Sequence, residues 1–202
     1  MLNEKELPFL AEKGHIVSLV GGGGKTTLLY AMAAHCARKG WRVLVTTTTH
    51  IRQPAARYAP DDAALTALWQ AGHYAVIGTP AENGKLTLPP QQLLRRMAQA
   101  DAMFIEADGA KHHSLKYPAA DEPVIYPGTT DVIIVLGTWE KGRSCKDVVF
   151  RYELMQKELG TAEDAVVDDS VIDTLRQVYV RKLRDSGFEG RVSCVFANER
   201  GG

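Results

Sequence analysis

A run of four glycines between an apolar segment and a helical pattern constrains the fold of this chain more than any other feature. Residues 15–20 predict a buried strand, the glycines occupy 21–24, and residues 27–39 carry apolar side chains at helical spacing. Gly40 then ends the helix, and residues 41–46 are rich in residues that favour strands. A strand, a tight loop, a helix and a second strand form a βαβ unit, which predicts parallel strands and a right-handed crossover.

The remaining pattern predicts an α/β domain in which strands alternate with helices. Further strands are predicted over residues 102–106, 131–136 and 191–197, and further helices over residues 63–71, 91–100, 153–159 and 171–183. Residues 73–90 contain the turn Asn83-Gly84 and predict a small hairpin-like insertion. At 202 residues, we expect a single domain over residues 1–202.

The segment between the first strand and the first helix is typical of a phosphate-binding loop. Successive backbone N–H groups in such a loop point into one concavity, and the following helix adds its positive end. Lys25 would reach the terminal phosphates as a catalytic residue, and the hydroxyl of Thr26 would bind Mg2+. The predicted nucleotide-binding residues are Gly21, Gly22, Gly23, Gly24, Lys25, Thr26 and Thr27, with ATP or GTP as the substrate. The expected fold is therefore an α/β, three-layer P-loop NTPase-like domain with a mostly parallel sheet and a small hairpin-like insertion.

The loop is shorter than the usual G-x-x-x-x-G-K-T pattern, because Leu19 stands where that pattern has its first glycine. The short form resembles the phosphate loop of Mur-type ligases, and it equally resembles the loop of the ArsA and MinD-like ATPases. The latter proteins carry a signature lysine where this chain has Val20. A lysine that reaches into a dimer partner is therefore not predicted.

Two carboxylates lie at the end of the strand predicted over residues 102–106, Glu106 as its last residue and Asp108 just beyond it. Glu106 and Asp108 are two residues apart, so their side chains point to the same side of an extended backbone. A carboxylate at the end of an apolar strand is costly unless it meets a cation. We predict that Glu106 and Asp108 take catalytic and Mg2+-binding roles, and the pattern leaves open which residue does which.

Asn198 directly follows the strand predicted over residues 191–197, at the place where many GTPases carry Asn-Lys-x-Asp. We predict that Asn198 contacts the nucleotide. Glu199-Arg200-Gly201 follows instead of the aspartate that would bind guanine, so ATP and GTP both stay open.

Polar loops beside the predicted site are candidates for a substrate or switch loop. Thr48, Thr49 and His50 follow the second strand, where ligands gather in an open parallel sheet. A second loop carries Lys111, Lys116 and Glu122 among ordering prolines. His112 and His113 lie in the same loop, and their spacing favours a solvated basic turn over metal ligation.

The three cysteines are too few and too widely spaced for a disulfide framework or a zinc knuckle. Cys36 and Cys194 are predicted to be core residues, because they lie on a helix and in a strand. Cys145 lies in a predicted loop over residues 137–146, where we expect a solvent-facing or half-packed thiol. It is also the one thiol to test as a carrier of a bound species.

Charge and hydropathy exclude several classes of partner. Lys plus Arg and Asp plus Glu both number 24, so the summed charge predicts no nucleic-acid partner and no membrane surface. No apolar stretch approaches the roughly 20 residues of a membrane-spanning helix, and residues 1–10 are acidic where a signal peptide would be basic. A cytoplasmic location is expected, and the sequence does not indicate an oligomeric state.

With these residues assembled, the chain resembles the selenium-dependent hydroxylase accessory proteins, the YqeC-like family, across nearly its whole length. The resemblance rests on residues 20–27, residues 45–49, the stretch from Glu106 through Lys116 to Ile125, and Asn198. It implies a P-loop domain that helps to mature a molybdenum hydroxylase whose cofactor carries selenium. Such proteins tend to have His-Arg-Pro-Glu where this chain has Phe150-Arg151-Tyr152-Glu153, so Arg151 is retained for a phosphate contact or an ion pair.

The function expected from these observations is Mg2+-dependent nucleoside triphosphate binding and hydrolysis. The chain would act as an accessory factor, with a molybdenum hydroxylase or cofactor-maturation proteins as its partners. Two alternatives stay open at this point. One is a small-molecule ligase or kinase with a Mur-like loop, and the other is a nucleotide-gated carrier with little catalysis.

Overall fold

The computed structural model of this chain describes residues 4–198, and its elements alternate between strands and helices. The strands are β1 His15–Gly21, β2 Val43–Thr47, β3 Ile51–Arg52, β4 Ala75–Val76, β5 Thr79–Ala81, β6 Lys85–Thr87, β7 Ala102–Glu106, β8 Leu115–Lys116, β9 Asp131–Gly137, β10 Val149–Phe150 and β11 Arg191–Ala197. The α-helices are α1 Lys25–Arg38, α2 Asp62–Gln70, α3 Gln91–Leu94, α4 Cys145–Val148, α5 Tyr152–Leu159 and α6 Asp169–Asp185.

The centre of the domain is a parallel sheet. Within residues 4–198 it has six strands in the order β11, β9, β1, β7, β2, β4, and every neighbouring pair is parallel. Strand β1 therefore lies between β7 and β9, so the ends of all three strands meet beside the glycine loop. Parallel strands place their carboxyl ends at one edge of the sheet, where ligands gather in folds of this kind.

Helices cover both faces of this sheet, which gives the three layers predicted. Alternate residues of β9 pack to opposite sides, with Ile133 in the cluster that contains α1 and Ile134 in the cluster that contains α6. On the side opposite α1, helices α2 and α3 cover the β2 half of the sheet with Leu65 and Leu93. The α/β fold class is therefore confirmed, and it is consistent with a three-layer P-loop NTPase-like fold.

Helices α2 and α6 each begin just after an aspartate that caps the first turn. Asp61 accepts a hydrogen bond from the backbone N–H of Ala64 at 2.8 Å at the start of α2, and Asp168 accepts one from Val171 at 2.8 Å before α6. Such caps satisfy N–H groups that the first turn of a helix leaves unpaired.

The insertion differs in detail from the hairpin predicted over residues 73–90. Strands β5 and β6 form the expected antiparallel pair around the Asn83-Gly84 turn, but β3 adds a strand on the other side of β6. Strand β4 instead pairs with β2 in the central sheet. Ala75 and Val76 are buried, so they suit a strand covered by helices on both faces better than they suit an exposed hairpin arm.

The helix predicted over residues 91–100 is shorter than expected. Helix α3 ends at Leu94, and residues Arg95–Gln99 continue as a 3-10 helix. In the described part of the chain, no helix is long and apolar enough to cross a membrane.

Candidate functional site

The glycine loop is held by close backbone contacts that leave no room for larger side chains. A Cβ atom on Gly22 would lie 2.9 Å from the carbonyl oxygen of His113, and one on Gly23 would lie 2.7 Å from the Cα of Gly137. Gly23 also donates its N–H to the carbonyl of His113 at 3.3 Å. Two of the predicted glycines are therefore required by packing against the strand and loop beside them.

The first turn of α1 offers unpaired donors at the edge of the sheet. Gly24 is the N-cap in the left-handed conformation, with φ of 97°, and has no side chain to cap the helix. A Cβ atom at Gly24 would meet nothing within 4 Å, so open space adjoins this turn. Unpaired N–H groups and the positive end of a helix together make a site that suits an anion.

Lys25 is folded back onto the loop. Its Nζ donates to the carbonyl of Gly21 at 2.5 Å and lies 3.1 Å from Oδ1 of Asp108. The side chain is 5% exposed. A buried ammonium is therefore held at the start of α1 by a carboxylate from the end of β7.

Thr26 and Glu106 form a second contact across the same gap. The hydroxyl of Thr26 donates to Oε2 of Glu106 at 2.8 Å. Burial raises the pKa of Glu106, against the opposing effects of Lys25 and of the Thr26 hydroxyl. A hydroxyl and a carboxylate are hard oxygen donors of the type that Mg2+ prefers, so this pair suits the predicted metal chemically.

Asp108 is fully buried and heavily hydrogen-bonded. Its Oδ2 accepts the N–H of Gly21 at 3.0 Å and the hydroxyl of Tyr179 at 2.8 Å. Burial alone would raise the pKa of Asp108, but Lys25, Lys116 and these two donors hold it below its usual value. Burial and the neighbouring Asp108 raise the pKa of Tyr179, which therefore stays a hydrogen-bond donor.

A row of alternating charges extends from Asp108 away from the loop. Lys116 is fully buried, with its Nζ 3.2 Å from Oδ2 of Asp108 and 2.8 Å from Oε2 of Glu122. Arg151 donates to both oxygens of Glu122, with one terminal nitrogen on the Oε2 that Lys116 also contacts and the other 3.3 Å from Oε1. Burial opposes the charge on Glu122, but Arg151 and Lys116 lower its pKa. The five charged groups of this row, from one end to the other, are Lys25, Asp108, Lys116, Glu122 and Arg151.

Lys111 lies at the outer end of the same region. Strands β8 and β10 pair with each other and bring Lys116 beside Phe150. The Nζ of Lys111 lies 5.4 Å from the centroid of the Phe150 ring, and the guanidinium of Arg151 lies 4.7 Å from it. The His113 ring stacks on the same ring at 5.6 Å. The loop predicted as a substrate or switch loop is thus brought next to Arg151.

Residues 48–50 follow β2, and within this segment Thr48 hydrogen-bonds directly to Glu106. Thr48 donates its backbone N–H to the carbonyl of Glu106 at 3.1 Å and its hydroxyl to the carbonyl of Val124 at 2.7 Å. The backbone N–H of Thr49 donates to the hydroxyl of Thr47, and His50 is exposed. Thr48 therefore borders the site, whereas Thr49 and His50 extend outward from it.

Asn198 lies apart from the charged row. It follows β11, which is separated from β1 by β9, and its Oδ1 accepts a hydrogen bond from the Thr138 hydroxyl at 2.8 Å. Both residues line an open cavity of about 380 Å³ that also contains Phe196. The cavity lies at the carboxyl ends of β9 and β11, and Gly137 at the end of β9 contacts the glycine loop.

Two of the three cysteine predictions are wrong. Cys145 is the first residue of α4 and is fully buried, and burial raises the pKa of its thiol. Cys194, predicted to be a core residue, is partly exposed, because β11 is the edge strand of the described sheet. Cys36 is buried as predicted, and burial raises its pKa to about 11. A carrier role for Cys145 therefore has no accessible thiol to use.

Sequence patterns missed Tyr179 and Gly137 as parts of the site. The spacing of α6 marks Tyr179 as a core residue, but periodicity says nothing about the partner of its hydroxyl. Gly137 follows an apolar strand, and a glycine at a strand end signals close backbone approach.

Comparisons with known proteins extend these observations. A family model described as "YqeC protein" matches residues 17–153. A protein of Escherichia coli (strain K12), described as "Uncharacterized protein YqeC", is 32% identical over 162 residues. This similarity covers 75% of the chain and 63% of the relative's length, so the chain spans less than two thirds of that relative. The residues that the family model matches include the glycine loop, both carboxylates and Arg151.

Proposed function

The chain belongs to the YqeC family, and we propose that it binds a nucleoside triphosphate with Mg2+ and hydrolyses it. The observation that carries this proposal is the meeting of α1 with the end of β7. Lys25 and Thr26, on the first turn of α1, contact Asp108 and Glu106 respectively. A lysine, a hydroxyl and a carboxylate beside unpaired helix N–H groups are the parts that phosphoryl-transfer sites use.

We assign different tasks to the two carboxylates. Oε2 of Glu106 accepts a hydrogen bond from the Thr26 hydroxyl, so these two oxygens lie close enough together to hold one Mg2+ ion. Asp108 meets Lys25, Lys116, Tyr179 and the Gly21 N–H, and this set of donors supports a charged residue that positions Lys25. Bound Mg2+ would neutralise charge on the outer phosphate oxygens.

The protein side chains would act by binding and orientation. The N–H groups of residues 24–27 would contact the phosphates, and Lys25 would turn from the Gly21 carbonyl toward the outer phosphate. Asn198 and the cavity beside Phe196 would receive the nucleoside. Thr48 borders Glu106 through the backbone and would respond to a ligand there.

The cellular role proposed here rests on the family resemblance. The chain would use nucleotide hydrolysis in the maturation of a selenium-dependent molybdenum hydroxylase, with that enzyme or its cofactor-maturation proteins as partners. We propose a cytoplasmic location for this reaction.

Thermal denaturation with ATP, GTP or CTP in the presence of Mg2+ tests nucleotide binding. A ligand at 100 times its Kd stabilises the folded state by about 2.7 kcal/mol, which raises Tm by roughly 5–10 °C for a domain of this size. We expect that rise in the wild type with at least one nucleotide, together with release of phosphate. Lys25→Ala should abolish both effects, because it removes the cation that contacts the phosphates.

Lys157→Ala is the matched control, since Lys157 is an exposed lysine on α5. It should keep the full Tm rise. Circular dichroism should show that Lys25→Ala is folded, because Asp108 still has Lys116, Tyr179 and Gly21 as partners. A Lys25→Ala protein with unchanged nucleotide turnover would end the proposal.

A further inference from the structure

Three basic side chains converge on one aromatic ring beside the glycine loop. The Lys111 Nζ, the Arg151 guanidinium and the His113 ring all lie within 5.6 Å of the centroid of Phe150. Lysine and arginine at one ring repel each other, and the negative face of the ring offsets only part of that repulsion. An anion within reach of Lys111 and Arg151 would reduce that repulsion.

The cationic groups around Phe150 and along the charged row outnumber the carboxylates that pair with them. Among residues 4–198, no carboxylate lies within ion-pair distance of Lys111. Glu122 pairs with Arg151 but is shared with Lys116, and Asp108 is shared between Lys116 and Lys25. In these ion pairs two carboxylates serve three cations, Lys25, Lys116 and Arg151, and Lys111 is paired with neither carboxylate.

The backbone that presents these cations is in an unfavourable conformation. Lys111 and Arg151 have positive φ angles of 45° and 64°, which lysine and arginine rarely adopt. Such conformations cost free energy and concentrate at ligand-binding sites. Arg151 is also the N-cap of the eight-residue helix α5, which has no side-chain cap and so leaves N–H groups unpaired beside the guanidinium.

The cluster is joined directly to the proposed nucleotide site. Gly23 donates its N–H to the carbonyl of His113, and the charged row links Lys25 to Arg151 through Glu122. From this arrangement we infer that Lys111, Arg151 and the α5 N-terminus form a second anion site next to the triphosphate loop. The site takes a small molecule that carries a phosphate or carboxylate group, as the second substrate of the nucleotide-dependent reaction.

This inference rests on the proposed nucleotide site for its role as a second-substrate site, but the anion binding itself can be measured separately. Equilibrium dialysis with radiolabelled orthophosphate, and in parallel with malonate, probes the two kinds of oxyanion. Saturating Mg2+-nucleotide fills the glycine loop in one series, and Lys25→Ala disables it in another. The expected result is that an oxyanion still binds in both series.

Lys111→Asn is the informative variant, because asparagine tolerates the left-handed backbone and carries no charge. We expect it to weaken oxyanion binding about tenfold, the effect of losing roughly 1.4 kcal/mol of charged interaction. Arg57→Asn is the matched control, since Arg57 is also a cation at positive φ, 75°, and lies beside β4. It should bind the oxyanion as the wild type does, and Arg151→Gln should weaken binding as Lys111→Asn does.

The outcomes separate the two proposals. Binding of phosphate alone identifies a phosphorylated substrate, and binding of malonate alone identifies a carboxylate, and either result supports the site. Oxyanion binding that disappears in Lys25→Ala and is unchanged in Lys111→Asn overturns the inference, because the glycine loop would then be the binding site. Failure of every nucleotide to bind, with oxyanion binding retained and sensitive to Lys111→Asn, refutes the nucleotide proposal and leaves the anion site standing.

Discussion

Replacing Tyr179 with phenylalanine removes a single hydroxyl from the buried end of the charged row. Tyr179 is fully buried, and its hydroxyl donates to Asp108 at 2.8 Å. A hydrogen bond to a charged group contributes roughly 1.5–3 kcal/mol, and the ring itself is unchanged in Tyr179→Phe. Asp108 keeps Lys25, Lys116 and the Gly21 N–H, so we expect a loss near the middle of that range, about 2 kcal/mol.

Tyr117 provides a control, because its hydroxyl also donates to a carboxylate but that carboxylate is exposed to solvent. Its ring is buried, and its hydroxyl donates to Glu158 at 2.7 Å. Glu158 is exposed, so water replaces the lost donor in Tyr117→Phe. We expect that variant to lose about 0.5–1 kcal/mol, the ordinary net value of one hydrogen bond.

Urea denaturation of the two variants measures the difference. For a domain of this size, about 2 kcal/mol corresponds to a fall in Tm of roughly 4–8 °C. The urea dependence of the free energy of unfolding should not change, because the same surface is exposed on unfolding. If Tyr179→Phe lost no more stability than Tyr117→Phe, the Tyr179 hydroxyl would not be donating to a buried, charged Asp108.

Two further predictions concern packing around the loop and the buried thiol. Gly23→Ala should lower the free energy of unfolding in urea by roughly 2–5 kcal/mol, because residue 23 has a positive φ and the new Cβ would overlap Gly137. Gly24→Ala should lower it by only the roughly 1–2 kcal/mol of conformational strain. Equal losses in the two variants would contradict the close packing at Gly23. Cys145 should react with iodoacetamide far more slowly in the native protein than after unfolding, with or without Mg2+-nucleotide. The reason is that burial removes access to the thiol and raises its pKa. Fast labelling of the native protein that nucleotide suppresses would support a carrier role for Cys145.

The sequence predicts the layers and the loop of this fold well, because both depend on local patterns. Buried parallel strands appear as short apolar runs, and residues 102–106 and 191–197 are strands over the ranges predicted. The glycine run and Lys25 fix a strand, a turn and a helix start without reference to the rest of the chain.

The order of the strands and the partners of the buried charges depend on contacts between distant segments. Nothing in the local pattern places β7 beside β1, yet that pairing brings Glu106 opposite Leu19 and so beside the glycine loop. Lys116 has the sequence context of a surface loop, and its complete burial follows from the carboxylates on either side of it. The burial of Cys145 escaped prediction because α4 has four residues, too few to display helical periodicity.

The resting position of Lys25 has a consequence for how ligands are selected. An anion that binds Lys25 must first break the contacts of its ammonium with the Asp108 carboxylate and the Gly21 carbonyl. The free energy of breaking these contacts lowers the affinity for every such anion. Under the proposed function, a triphosphate would recover that loss through further contacts with the glycine loop and Mg2+, whereas a single free phosphate would have few such contacts. The ion pair of Lys25 with Asp108 would thus favour the intact nucleotide of the proposed reaction over its phosphate product and over other small anions.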